Sequence, residues 1–125
     1  MRLTLVGALT ALTIMPVNAG EELDSANFLL PYCKTAVAKA SPSTFLEGLC
    51  VGKIVTAAQI AELIFRPGRR IAKDEFKCLE VPDGVANSEL IRVVIKYVEA
   101  TPERMHKPLH VLALDAFFDA WPCKK

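Results

Sequence analysis

The sequence predicts an all-α domain of four helices, arranged as two hairpins and stapled by two disulfides, behind a cleaved export signal. Three observations carry this expectation. Apolar residues recur at three- and four-residue steps in four segments, and no segment alternates every second residue, so helices are expected and no significant sheet. Pro-, Gly- and Ser-containing breaks separate the segments. Four cysteines, an even number, stand in a short chain that opens like a secretory signal.

The first nineteen residues have the three parts of such a signal. Met1-Arg2 supplies a positive charge, residues 3–15 carry none, Pro16 breaks the apolar run, and Val17-Asn18-Ala19 offers a small-residue cleavage site. The apolar run is shorter than the ~20 residues that span a bilayer core. No cysteine follows it to accept a lipid. Cleavage after Ala19 would leave residues 20–125 as one domain. Only Arg2 among the charged residues is lost, so 14 basic and 14 acidic side chains remain of the original 15 and 14. A chain of zero formal charge has no long-range field for nucleic acid or an anionic membrane, and both partners are excluded on that ground. The expected destination is an oxidising compartment, the bacterial periplasm.

The first helix lies within residues 21–39, with Phe28, Leu29, Tyr32, Cys33 and Ala36 on its apolar face. Pro31 suits a helix that starts there, or one that kinks there. Ser41-Pro42-Ser43 turns the chain. Thr44 and Glu47 then form the T-x-x-E pattern of a capping box. The second helix carries Leu46, Leu49, Cys50, Lys53 (by its stem), Ile54, Ala57, Ile60, Ala61 and Ile64 inward, and stops at Pro67-Gly68. Gly52, two residues after Cys50, reads as a close-packing position. An irregular stretch closes with the turn Pro82-Asp83-Gly84. The third helix runs from about Asn87 to Ala100 with Leu90, Val93, Val94, Tyr97 and Val98 inward. Thr101-Pro102-Glu103 opens the fourth, which is expected to reach about Ala120 with a bend at Pro108.

This layout selects a disulfide pairing. Cys33 and Cys50 are about equally far from the turn at Ser41-Pro42, and Cys78 and Cys123 are balanced about Thr101-Pro102. Residues equidistant from the turn of an antiparallel hairpin face one another. Cys33–Cys50 and Cys78–Cys123 are therefore expected among the three possible pairings.

Little in the chain reads as catalytic. His106 and His110 stand four apart on the expected fourth helix, which suits zinc if a third ligand arrives, but the H-E-x-x-H form is absent. No C-x-x-C, no G-x-S-x-G and no glycine-rich phosphate cradle is present. A cysteine held in a bridge is not a thiolate nucleophile. No metal, no cofactor and no enzymatic activity are expected.

Four pieces of sequence, in order, resemble the type VI amidase immunity (Tai) family and its Rap relatives. Gly48-Leu49-Cys50-Val51-Gly52-Lys53-Ile54 is similar to that family's G-x-C-x-G-aromatic-I core. Cys78 followed by Pro82-Asp83-Gly84-Val85 resembles its C-x-P-x-G-V turn, with a longer Cys-to-Pro spacing. Pro102-Glu103-Arg104-Met105-His106 resembles its P-E-x-x-H, and Ala120-Trp121-Pro122-Cys123 its closing A-[FW]-P-C. Lys53 stands where the family usually has Tyr, and Ala86 where a capping Thr is common, so Asn87 is expected to take that cap. The resemblance implies a periplasmic immunity protein, often dimeric, that binds and blocks a peptidoglycan-cleaving amidase delivered by type VI secretion. The contact residues expected here are Arg66, Arg69, Arg70, Lys73 and Phe76, a basic loop with one apolar anchor, since loops on a rigid scaffold carry binding and Arg and aromatic residues dominate hot spots. The competing reading is an HdeA-like periplasmic acid-stress chaperone, which is also small, helical and disulfide-linked.

Overall fold

In the computed structural model, which describes residues 23–39, 41–68 and 78–124, four helices occur in order: α1 (Ala26–Ala38), α2 (Phe45–Phe65), α3 (Asn87–Ala100) and α4 (Leu109–Ala120). A single 3₁₀ turn, Pro102–Arg104, precedes α4. The expected signal segment and its cleavage site lie outside the described residues. No strand forms among the described residues, where two isolated bridges, Ser25 with Pro108 and Leu79 with Pro122, are the extended pairings. The all-α, four-helix expectation holds.

Helix α1 begins earlier than Pro31 suggests. Ser25 caps it, its hydroxyl accepting from Phe28 N at 3.2 Å. The first two helical N–H groups are satisfied from outside the helix, Ala26 N donating to Lys107 O at 2.9 Å and Asn27 N to Met105 O at 2.8 Å. Pro31 is therefore an internal residue. It sits on the exposed side of the helix, and it removes one internal helical hydrogen bond.

Helix α2 starts where the Thr44 signal places it, Glu47 N donating to Thr44 Oγ1 at 3.2 Å. The reciprocal half of the box is displaced by one residue. The Glu47 carboxylate accepts from Ser43 N at 2.8 Å, from Ser43 Oγ at 3.2 Å and from Lys39 Nζ at 3.0 Å. These bonds, the Ser43 backbone donor first, hold this buried carboxyl below its usual pKa. A depressed carboxylate pKa means stabilisation that is present at neutral pH and lost as pH falls through the carboxylate range. Glu47→Gln is expected to lower the melting temperature most near pH 7, with the difference from wild type shrinking toward pH 3. Thermal melts across that range check this, and a constant difference would contradict it. At its far end α2 stops at Pro67-Gly68, where Gly68 takes φ +84°, the left-handed conformation glycine tolerates.

The expected fourth helix is divided. Thr101-Pro102-Glu103 opens only the 3₁₀ turn, and the Thr101 hydroxyl donates back to Tyr97 O at 2.9 Å rather than capping the turn beyond it. Pro108 has no N–H and disfavours helical backbone at Lys107. The chain breaks there, Lys107 O is taken by α1, and α4 restarts at Leu109. At α3 the expected Asn87 cap is not used. Ala86 occupies the cap position without a side-chain bond.

The core gathers Leu29 and Cys33 from α1, Cys50, Ile54, Ala57 and Ala61 from α2, Leu90, Ile91, Val94 and Val98 from α3, and Leu109, Leu112, Ala113, Ala116 and Phe117 from α4. Helix α2 packs against all three others. Both expected disulfides form, Cys33–Cys50 with Cα atoms 5.5 Å apart and Cys78–Cys123 with 5.3 Å, which leaves no free cysteine. The first bridge ties α1 to α2 inside the core.

Gly52 corrects the sequence reading. It is exposed, and a Cβ built on it meets nothing within 4 Å. At about 100° per residue it lies roughly 200° around the helix from Cys50, so the inward bridge places it outward. Gly52→Val is accordingly expected to melt within a degree or two of wild type at dilutions where chains are monomeric. A loss of several degrees in a thermal melt would contradict this exposure. Ile60 is likewise outward, 46% exposed, rather than part of the core stripe.

Candidate interaction surfaces

Of the contact residues expected from the sequence, Arg66 is described: it is exposed, in extended backbone at the C-cap of α2. Arg69, Arg70, Lys73 and Phe76 lie outside the described residues. The two ends of that segment are tightly fixed. Leu79 N donates to Phe65 O at 3.2 Å, and the Leu79 side chain is fully buried. Cys78 is bridged to Cys123, Cys123 N donates to Cys78 O at 3.1 Å, and Glu80 N donates to Trp121 O at 3.1 Å. Phe65 packs edge-on against Phe118, with centroids 5.0 Å apart, and Phe117 stacks on Trp121 at 5.9 Å. Phe65 and Cys78 thus sit at the same end of the bundle. A hollow of about 650 Å³ opens there, lined among others by Arg66, Glu80, Pro82, Trp121 and Lys124.

A second hollow, of about 770 Å³, abuts the Cys78–Cys123 bridge. Its wall holds a polar link that joins α3, the 3₁₀ turn and α4. Arg104 donates to Tyr97 Oη at 2.6 Å and to Asp115 Oδ2 at 2.5 Å. The hydrogen bond to the Asp115 carboxylate, with its charge, raises the Arg104 pKa further above its ordinary value. Arg104 is thereby committed to its own chain, and its work is to lock the turn onto α4.

The histidine pair is separated by the break before α4. His106 sits in the turn, and His110 in the first helical turn with Nδ1 3.9 Å from Asp24 Oδ2. They do not share a helix face. Among the described residues no three His, Cys, Asp or Glu side chains converge on a common point.

A third surface is not among those expected from the sequence. Helix α2 is long and apolar enough to cross a membrane by length and composition alone, because it is apolar on two sides. One side is the core. The other carries Phe45 (80% exposed), Ile60 (46%) and Leu63 (61%). Between them Gly48, Gly52 and Thr56 floor a groove of about 440 Å³, whose far wall is His110 and Leu114 of α4. Lys53, at its edge, is paired with Asp24. The sequence signal for this face is the row Gly48, Gly52, Thr56, Ile60, spaced by four residues. Assigning the whole periodicity to one inward stripe conceals it.

No curated protein and no solved structure matches the chain. Residues 25–123, from the Ser25 cap through the second bridge, match the family described as Rap1a immunity proteins. That span includes all four helices and both disulfides. The chain therefore belongs to the Rap1a immunity protein family.

Proposed function

We propose that this immunity protein acts in the periplasm, after removal of residues 1–19, by binding and neutralising a peptidoglycan amidase delivered by type VI secretion. The observation that carries the proposal is the family match over residues 25–123. The amidase class comes from the sequence pieces that resemble the Tai and Rap proteins. On this reading the chain works by occlusion rather than by catalysis, needs no cofactor, and functions as a homodimer.

The toxin contact is assigned to residues 66–77, including Arg66, Arg69, Arg70, Lys73 and Phe76. Support comes from the fixed positions of Phe65 and Cys78 on either side, since a segment with fixed ends loses less entropy when it docks. A basic loop also suits the cleft of an acidic partner. The test is co-expression with a periplasm-directed amidase encoded nearby. Wild type is expected to rescue growth. Replacing Arg69, Arg70 and Phe76 together by Ala is expected to weaken binding at least about thirtyfold, the loss of one strong hot spot, and to leave the melting temperature almost unchanged. Full rescue by that variant removes the loop from the interface. The acid-stress chaperone reading predicts something different: dissociation or unfolding near pH 2–3, with suppression of aggregation of other proteins.

A further inference from the structure

We propose that the Cys78–Cys123 bridge is a thiol–disulfide exchange site, reducible in the folded protein by a dithiol oxidoreductase of the C-x-x-C class, and that its opening weakens the toxin contact. The exchange site stands on the surroundings of the bridge. Its effect on the toxin rests on the reading of residues 66–77 given above.

The two bridges differ in access. Exchange begins with a thiolate reaching a sulfur, so its rate depends on whether that sulfur can be approached. Cys33 is 1% exposed and Cys50 0%, both within helices and both in the core. A reductant reaches that bridge only when α1 and α2 part, which is close to global unfolding. Cys78 and Cys123 are half-buried and lie outside the helices. Pro122 and Lys124, on either side of Cys123, are exposed. The hollow of about 770 Å³ opens on this bridge, with Tyr97, Phe118 and Asp119 in its wall.

The wall admits a negative nucleophile. Among the described residues its charged groups are two cations, Arg104 and Lys124, and two carboxylates, Asp115 and Asp119. Arg104 is paired with Asp115, and the sum is neutral, so an incoming thiolate meets no net repulsion. The reaction balances with a dithiol as reductant. One of its thiolates attacks a sulfur of the bridge, the S–S bond breaks, and the other cysteine leaves as a thiolate and takes up a proton. The second thiol of the reductant loses its proton, attacks the mixed disulfide and releases the first cysteine, which is protonated in turn. The bridge gains a pair of electrons and a pair of protons, and the dithiol becomes a disulfide.

The bridge holds a strap. Cys123 N donates to Cys78 O at 3.1 Å, Glu80 N donates to Trp121 O at 3.1 Å, and Leu79 pairs with Pro122. Residues 78–80 and 121–123 thus fix one flank of the segment assigned to the toxin. With the bridge open, backbone bonds between partly exposed residues are left to join the two strands of the strap. Contacts of that kind open at the low end of local stability. The core is kept, because Leu79 stays buried and bonded to Phe65 O, and Cys33–Cys50 still ties α1 to α2. Reduction therefore frees residues 121–124 and Cys78 while the helices stay packed. A flank that is no longer fixed must be ordered again on docking, which costs affinity.

Exchange is tested on the folded mature chain. It is exposed to dithiothreitol, quenched with iodoacetamide at intervals, and mapped by peptide mass spectrometry. Cys78 and Cys123 are expected to label together at least about tenfold faster than Cys33 and Cys50. Helical circular dichroism should be kept meanwhile, and the emission of Trp121, the only tryptophan, should change. A C-x-x-C oxidoreductase lacking its second cysteine is expected to be trapped on Cys78 or Cys123. Labelling of all four cysteines at one rate, labelling only as the helices melt, or a trapped adduct on Cys33 or Cys50 would overturn the exchange site. Binding to a purified amidase encoded nearby is then compared between the oxidised chain, the selectively reduced and alkylated chain, and Cys78→Ser combined with Cys123→Ser, each checked for helix content. Both opened forms are expected to bind at least about tenfold more weakly. Binding equal to that of the oxidised chain would overturn the effect on the toxin contact. An oxidised chain that binds no amidase would overturn the toxin reading itself, a failure the labelling result does not share.

Discussion

Replacing Cys78 and Cys123 together by Ala is expected to lower the unfolding free energy by about 4 kcal/mol. The bridge closes a span of 45 residues, and on the chain-entropy treatment the cost of leaving such a loop open in the unfolded state is of that size. The corresponding figure for Cys33–Cys50, which closes 17 residues, is about 3 kcal/mol. Against a total of ~5–15 kcal/mol for a domain, the longer bridge is a large share. Its loss also releases one anchor of residues 66–77, leaving the Leu79 N to Phe65 O bond and the buried Leu79 to hold that end. Denaturant unfolding followed by Trp121 fluorescence measures the effect. A change below about 1 kcal/mol would mean that those contacts already restrict the unfolded chain.

Phe117→Ala should have an effect of comparable size. Among the described residues Phe117 is the largest side chain with no solvent exposure, it stacks on Trp121, and it sits on the helix whose inner face includes Leu112, Ala113 and Ala116. Small neighbours cannot collapse to fill a phenyl-sized void, so the cavity term adds to the lost transfer energy and the total is about 3–5 kcal/mol. The same denaturant titration reads it as a lower midpoint at unchanged slope. A midpoint within error of wild type would place Phe117 in a site able to repack.

Much of the frame is legible from local chemistry. Thr44 and Glu47 mark the start of α2, Pro67-Gly68 marks its end, and the bounds of α3 match its apolar periodicity. Equidistance about two turns is enough to pair four cysteines. The illegible parts depend on contacts distant in sequence. The start of α1 at Ala26 is supported by the carbonyls of Met105 and Lys107, far downstream, which periodicity around Pro31 cannot reveal. Pro108, expected to bend a helix, breaks it, because the carbonyl before it is committed to α1. His106 then falls outside α4, and the apparent histidine pair dissolves with it. The closeness of Gly52 to Cys50 in sequence suggests shared packing, although the helical turn carries Gly52 to the opposite face. For the candidate site, Arg66 is placed where the sequence suggests, at the end of α2. The notched outer face of α2 is hidden by a helix that is apolar on both sides.

The most direct test of the central claim is a titration of peptidoglycan cleavage. A purified type VI amidase encoded nearby is mixed with increasing amounts of the purified mature chain, and release of cleaved muropeptides is followed. Cleavage is expected to fall to background near one binding site per amidase, and the Arg69, Arg70 and Phe76 triple-alanine variant is expected to require a large excess to do the same. Undiminished cleavage under saturating wild-type protein, with both proteins folded, would contradict it.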